Sequence, residues 1–138
     1  MERLDPNEGI VVSTGEKNIT MPAVNARKFY RQCLELLQPV LRLRKREADV
    51  LGELLYHNYL KRDIKNDGDR AELVFSTATR RKIQEKLEIS SPVVQQALGG
   101  LRKKGIIKGI YIRDFIIMEP EDGVFSLTFN FVVNNTNA

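Results

Sequence analysis

Residues 79–107 read TRRKIQEKLEISSPVVQQALGGLRKKGII, and this stretch decides the fold. Ile83 and Leu87 stand four apart, which predicts a short amphipathic helix ending before Ile89. Ser91 is a natural helix cap, and Pro92 suits the first helical position because its missing N–H would have no partner there. Val94, Ala97, Leu98 and Leu101 follow at helical spacing and line one face. Gly105 ends that second helix just after Arg102, Lys103 and Lys104, cations that suit the negative end of a helix dipole. The stretch therefore predicts two helices joined by a tight turn.

Beyond Gly105 the apolar period changes from helical to two. Residues 106–118 are β-rich, residues 119–123 (EPEDG) form a turn, and residues 124–133 alternate. Phe125, Leu127, Phe129, Phe131 and Val133 face one way, and Ser126, Thr128 and Asn130 the other, which predicts a β-hairpin with one strongly apolar face that must lie on something. Upstream, Leu73-Val74-Phe75 is a strand-like run, followed by the capping pair Ser76-Thr77. Residues 65–69 (KNDGD) have loop composition. A helix over residues 44–63 carries Leu51, Leu55 and Tyr59 four apart, with Val50 and Leu54 beside them. A further helix begins near Val24. It carries the stripes Phe29-Cys33-Leu36-Val40 and Tyr30-Leu34-Leu37-Leu41, and Pro39 ends or bends it. Residues 1–23 form an extended arm in which Ile10, Val11 and Val12 are β-like and Ile19-Thr20 can pair back across Ser13-Thr14-Gly15.

The order short strand, helix, turn, helix, hairpin is the layout of a winged helix. Residues 79–107 resemble the helix-turn-helix of MarR- and GntR-type proteins, with Ile83, Leu87, Ile89, Val94, Ala97, Leu98, Leu101, Gly105, Ile106 and Ile107 at the packing positions. The run from Arg46 to Leu51 resembles the opening helix of such domains, and the resemblance spans residues 43–133. It implies an α+β winged-helix domain over residues 24–133, an extended arm over 1–23 and a tail over 134–138. It also implies DNA binding, with the second motif helix in the major groove and the wing on phosphate. Ser91, Gln95 and Gln96 would then lie near bases. The clusters Arg42-Arg44-Lys45-Arg46, Arg80-Arg81-Lys82 and Arg102-Lys103-Lys104-Lys108 would follow the phosphate backbone.

The charges run against that role. No basic residue lies between Ser90 and Leu101, and Val93 stands where a polar reader is usual. Glu119, Glu121 and Asp122 set three negative charges at the expected wing tip, opposing attraction to phosphate. Charge is segregated along the chain: residues 24–64 hold nine basic against five acidic groups, and residues 90–118 five against one. From residue 119 onward there are three acids and no base. Such asymmetry suggests a complementary protein surface or a polyanion.

The 138 residues and 15.8 kDa suit a single domain. One cysteine, Cys33, excludes an internal disulfide, and one histidine, His57, argues against Cys/His zinc sites. Catalytic patterns fail in turn. Gly100 and Gly105 have P-loop spacing, but Ile106-Ile107 stand in place of Lys-Ser/Thr. Asp67-Gly68-Asp69 lacks the other ligands of a calcium loop, and His57 has no nearby Asp or Cys in sequence to make a base–nucleophile pair. No enzyme, cofactor, metal or small-molecule substrate is expected. The acidic amino terminus lacks a secretory apolar core and no long uncharged apolar run occurs, so no membrane role is expected and a bacterial cytoplasm is the alternative setting.

The expectation is a non-enzymatic structural subunit that assembles with copies of itself and with neighbouring structural proteins. Residues 45–61 and 124–133 resemble small structural proteins of crAss-like tailed phages, which implies a virion setting as a portal/tail connector or ring protein. In that reading Ile10, Val11 and Val12 dock on an adjacent chain. Glu119, Glu121 and Asp122 meet a basic patch such as residues 42–46 of the next copy, a head-to-tail contact that closes into a ring. The alternative is a winged-helix transcription regulator using the nucleic-acid residues named above.

Overall fold

The computed structural model describes residues 11–12 and 19–134. Ile10 and the last four residues lie outside them, and of Val11 and Val12 only the backbone pairing is described. Strand β1 (Val11–Val12) pairs antiparallel with β2 (Ile19–Thr20), Val11 opposite Thr20 and Val12 opposite Ile19. Five helices follow: α1 (Ala26–Leu41), α2 (Lys45–Leu60), α3 (Asp67–Val74), α4 (Thr77–Leu87) and α5 (Ser91–Lys103). A second ribbon, β3 (Ile107–Lys108) with β4 (Tyr111–Ile112), and a 3-10 turn at Asp114–Ile116 complete the elements. Among the described residues the architecture is α+β, five helices and two short antiparallel ribbons.

α2 is the central helix. Val50, Leu51, Leu54 and Leu55 are fully buried, so its apolar face is broad enough to take α1 on one side and α3, α4 and α5 on others. α1 starts where the Asn25 side chain accepts the Lys28 N–H at 2.9 Å. Pro39 lies inside α1 without ending it; so near the carboxyl end its missing N–H forfeits one late hydrogen bond. The stop comes at Arg42, in the left-handed region at φ 52, whose N–H returns to the Gln38 carbonyl at 2.8 Å. The Gln38 side-chain amide also grips the backbone of the buried Leu43, which sets the short connection into α2.

Residues 73–75 are not a strand. Asn66 caps α3 by accepting the Asp69 N–H at 3.0 Å, and Asp67 and Asp69 place negative charge in its first turn. Ala71 and Val74, three apart, then turn onto the core, and Phe75 closes the helix. The helix thus begins inside the stretch whose composition suggests a loop. The Leu73 carbonyl takes the hydroxyls of Ser76 (2.8 Å) and Thr79 (2.7 Å), joining α3 to the cap of α4.

The two helices expected over residues 79–105, joined by a tight turn, are present as α4 and α5. α4 buries Ile83 and ends at Glu88, φ 55; the Ile89 N–H then reaches back to the Gln84 carbonyl. α5 is capped at Ser90, one residue earlier than the sequence suggests, with Ser91 and Pro92 in its first turn. It buries Val94, Ala97, Leu98 and Leu101. At its other end the Gly105 N–H reaches the Arg102 carbonyl and the Ile106 N–H the Leu101 carbonyl, both at 3.0 Å. This closure needs the left-handed φ of +72 at Gly105 and seals Ile106 against Leu101 in the core.

The expected long hairpin is not formed. The hairpin turns at Gly109-Ile110, with Gly109 at φ +64, so Ile107 pairs with Ile112 and Lys108 with Tyr111. Ile107, Ile112, Ile116 and Met118 go into the core. Residues 125–133 form no strand; Glu121 and Val124 share one isolated bridge. Alternating side chains make a segment strand-competent, but a strand also needs a neighbouring edge, and this segment pairs with none among the described residues. Only Phe125 of its apolar face is half-buried, packed edge-on against Phe29 at 5.5 Å.

Candidate functional site

Two surfaces concentrate the residues singled out in sequence. The first is a groove of about 760 Å³ between the start of α2 and the second half of α5, lined by Arg44, Glu47, Gln96, Gly99, Gly100, Lys103 and Lys104. α5 contributes because its apolar stripe turns inward and leaves Ser91, Pro92, Gln95, Gln96, Gly99 and Lys103 in solvent. Arg44 contributes because the tight α1–α2 connection delivers it at the cap of α2. Residues far apart in sequence thus share one basic wall.

At the base of the groove the Glu47 carboxylate is buried. It accepts the backbone N–H of Arg44 at 2.8 Å, the reach-back bond of a helix capping box, and pairs with the Lys104 ammonium. Burial raises the Glu47 pKa, but the bonds from Lys104 and Arg44 outweigh it and hold the group below its ordinary value. Gly100 makes room for this carboxylate: a Cβ there would stand 2.9 Å from Glu47 Cδ and overlap a carboxylate oxygen. Gly99, beside it, has none of the described residues within 4 Å of the place a Cβ would occupy.

This arrangement predicts a reversal of sign. Gly100→Ala alone lowers stability by about 1–2 kcal/mol, because displacing Glu47 costs its cap and ion pair while alanine recovers only about 1 kcal/mol of helix propensity. In a Glu47→Ala background the same change raises stability by about 1 kcal/mol, since only the propensity gain remains. Urea unfolding of the four chains checks it; additive effects would refute the coupling.

The second surface is the acidic turn. Asp122 (φ 50) and Gly123 (φ 77) are both left-handed and the Glu121 and Val124 backbones bond reciprocally at 2.9 Å, a tight two-residue reversal. Glu119, Glu121 and Asp122 are exposed, and none makes an ion pair among the described residues. Burial, with the Glu119 charge adding to it, pushes the Tyr30 hydroxyl well above its usual range, and Phe125, just after the turn, packs on Phe29 of α1. After the turn the chain exposes Phe131 (88%), Val132 (97%) and Val133 (74%).

The other candidates are dispersed. Arg46 is engaged with Asp49 at 3.3 Å, and Arg31 reaches the same carboxylate at 3.7 Å. Arg102 donates two bonds to the Gly109 carbonyl and so holds the hairpin turn against α5. Arg80 donates to the Thr77 hydroxyl, Arg81 is exposed, and Lys45 and Lys108 are exposed away from any ion pair among the described residues. Lys82 belongs elsewhere: its charge, with those of Lys61 and Arg27, bears on His57.

That second, buried cluster is not evident in sequence. Glu53 accepts the Arg27 Nε–H at 3.0 Å through one carboxylate oxygen, while the other finds no hydrogen-bond partner among the described residues. Arg27 lies over the Tyr56 ring at 4.3 Å. His57 is buried, its Nδ1 also without a partner, and burial, aided by Lys61, Lys82 and Arg27, brings its pKa down to about 4. The available signal was Glu53 itself, a charged residue flanked by Leu51, Leu54 and Leu55. Cys33 is buried, and burial pushes its thiol up to about 11.

Among the described residues no group of three or more His, Cys, Asp or Glu side chains could hold a metal ion, and no helix is long and apolar enough to cross a membrane. Comparison with known proteins found no matching family model, curated protein or solved structure.

Proposed function

We propose that this chain is a non-enzymatic structural subunit of a larger oligomer, built on a winged-helix body, with the tailed-phage ring or connector proteins as its setting. The observation that carries the reading is the strand-competent segment after the acidic turn. Val124, Leu127, Phe129, Phe131, Val132 and Val133 are all exposed, a run of apolar surface that a free monomer leaves in water. A neighbouring subunit that covers it removes that cost and pairs its backbone. The order α2, α4, α5 and hairpin supports the winged-helix reading, although α3 occupies the place of the first strand. The likeness of residues 45–61 and 124–133 to small phage structural proteins points to the particle.

Light scattering on the full chain tests this. The expected result is a closed oligomer with a discrete mass, without added nucleic acid. A monodisperse monomer at about 100 μM would overturn it, since a standard-size interface between subunits gives micromolar affinity or better.

The groove favours one second reading, a winged-helix DNA-binding regulator, because Arg44, Lys103 and Lys104 stand beside Gln96. That reading requires sequence-specific duplex binding that weakens steeply with salt and is lost on Gln95→Ala with Gln96→Ala. Against it, the exposed α5 residues ahead of Gly99 carry no positive charge, and the acidic turn repels phosphate.

A further inference from the structure

We propose that the groove between α2 and α5 receives the acidic turn, residues 119–122, of a second copy of this chain. This rests on the oligomeric reading above and names the contact that builds the oligomer. Of the basic patch at residues 42–46, expected from sequence as the acceptor, only Arg44 lines the groove; the other cations there are Lys103 and Lys104 at the end of α5.

Charge is the first argument. Arg44, Lys103 and Lys104 face the groove, and Glu47 at its base is already bonded to Lys104, so the wall carries a net positive charge. The turn offers three carboxylates that form no ion pair among the described residues. Phe125, just after the turn, packs on Phe29, whose neighbour Tyr30 meets Tyr59 at the carboxyl end of α2, whereas Arg44 and Glu47 of the groove stand at the amino end, so the turn does not fill the groove of its own chain.

Shape is the second argument. A glycine inside a helix weakens it, and α5 carries two in succession. Gly100 is accounted for by Glu47, but none of the described residues comes within 4 Å of the place a Cβ would occupy on Gly99. A residue without a side chain on the groove floor admits a ligand close to the helix backbone. The turn is narrow and preorganised, closed by its own two backbone bonds, so little ordering is required when it docks. Donor and acceptor lie on different parts of the surface, so the contact is head-to-tail, and repetition closes a ring if the rotation allows.

The test uses the full chain and reads self-association by sedimentation velocity at low and high salt. Three chains are compared with the natural one: a turn reversal (Glu119→Lys, Glu121→Lys, Asp122→Lys), a groove reversal (Arg44→Glu, Lys103→Glu) and Gly99→Gln. Each is expected to weaken association at least tenfold. Mixing the two reversed chains should restore assembly, because each then meets an opposite charge on the other. Gly99→Gln guards against misfolding: it meets open space and gains helix propensity, so its melting temperature stays equal or higher while association falls. Association of the natural chain should weaken as salt rises.

If the natural chain assembles but neither Gly99→Gln nor the reversals weaken it, this contact is wrong and the oligomeric reading stands. If the natural chain is a monomer, both fall. If the groove variants lose affinity for duplex DNA while the mass of the oligomer is unchanged, the groove belongs to phosphate and the proposal is overturned.

Discussion

Folding stability is expected to fall by roughly 3 kcal/mol as pH is lowered from about 6.5 to about 4, with His57 as the cause. The imidazole is buried on the inner side of α2, and burial opposes its charged form. Lys61 just past the end of the same helix, Lys82 on α4 and Arg27 on α1 add positive charge to the effect of burial, so its pKa is brought down to about 4 from 6.5. The unfolded chain therefore takes up this proton first. The contribution is present in full above pH 6.5 and is lost as pH falls through the folded value. Urea unfolding at intervals between pH 7 and pH 4 reads the slope directly, and His57→Gln should flatten it. A second decline should follow below about pH 4.5, where Glu47, held below its ordinary value, takes up its proton; Glu47→Gln should remove that part alone. A stability curve flat between pH 7 and 4.5 would show that the imidazole is not excluded from water.

Arg27→Met should cost about 3 kcal/mol, although Arg27 itself is partly exposed. The reason lies in its partner. Glu53 is 1% exposed, its one bonded oxygen depends on the Arg27 Nε–H, and its other oxygen finds no partner among the described residues. Removing the guanidinium leaves a carboxylate buried with nothing to compensate its lost hydration. Adding Glu53→Leu to Arg27→Met should then recover stability to within about 1 kcal/mol of the natural chain, because an apolar side chain suits the site once the cation is gone. Glu53→Leu alone should cost less than Arg27→Met alone, since the freed guanidinium can reach water. A double-mutant cycle by urea unfolding measures this coupling, and purely additive effects would exclude it.

These two effects arise where sequence reading was weakest. The helices of residues 77–103 were legible because their information is local: Ser76 caps, Pro92 sits in a first turn, Gly105 supplies a left-handed stop, and Val94, Ala97, Leu98 and Leu101 recur at helical spacing. The same logic misread Leu73-Val74-Phe75, where β-branched and aromatic side chains suggested a strand but the Asn66 cap and the pull of α2 on Ala71 and Val74 made a helix. It misread residues 124–133 for a different reason. Alternation describes how a strand would present its side chains and says nothing about whether an edge lies alongside to pair with it.

The candidate site divides in the same way. The basic and acidic runs were visible as charge, yet Arg44 and Lys103 share a groove only because α2 and α5 pack together, and Gly100 acquires its purpose only from the Glu47 carboxylate above it. Glu53 and His57 became a buried polar pair on one helix when α1 and α4 closed over α2. By itself, the amino-acid sequence determined α4 and α5, the left-handed stop at Gly105 and the segregation of charge, because these are written in residues a few positions apart. Tertiary packing alone decided which charges lose water, which meet across the groove and which segment is left without a partner, because those depend on neighbours that chain order does not specify.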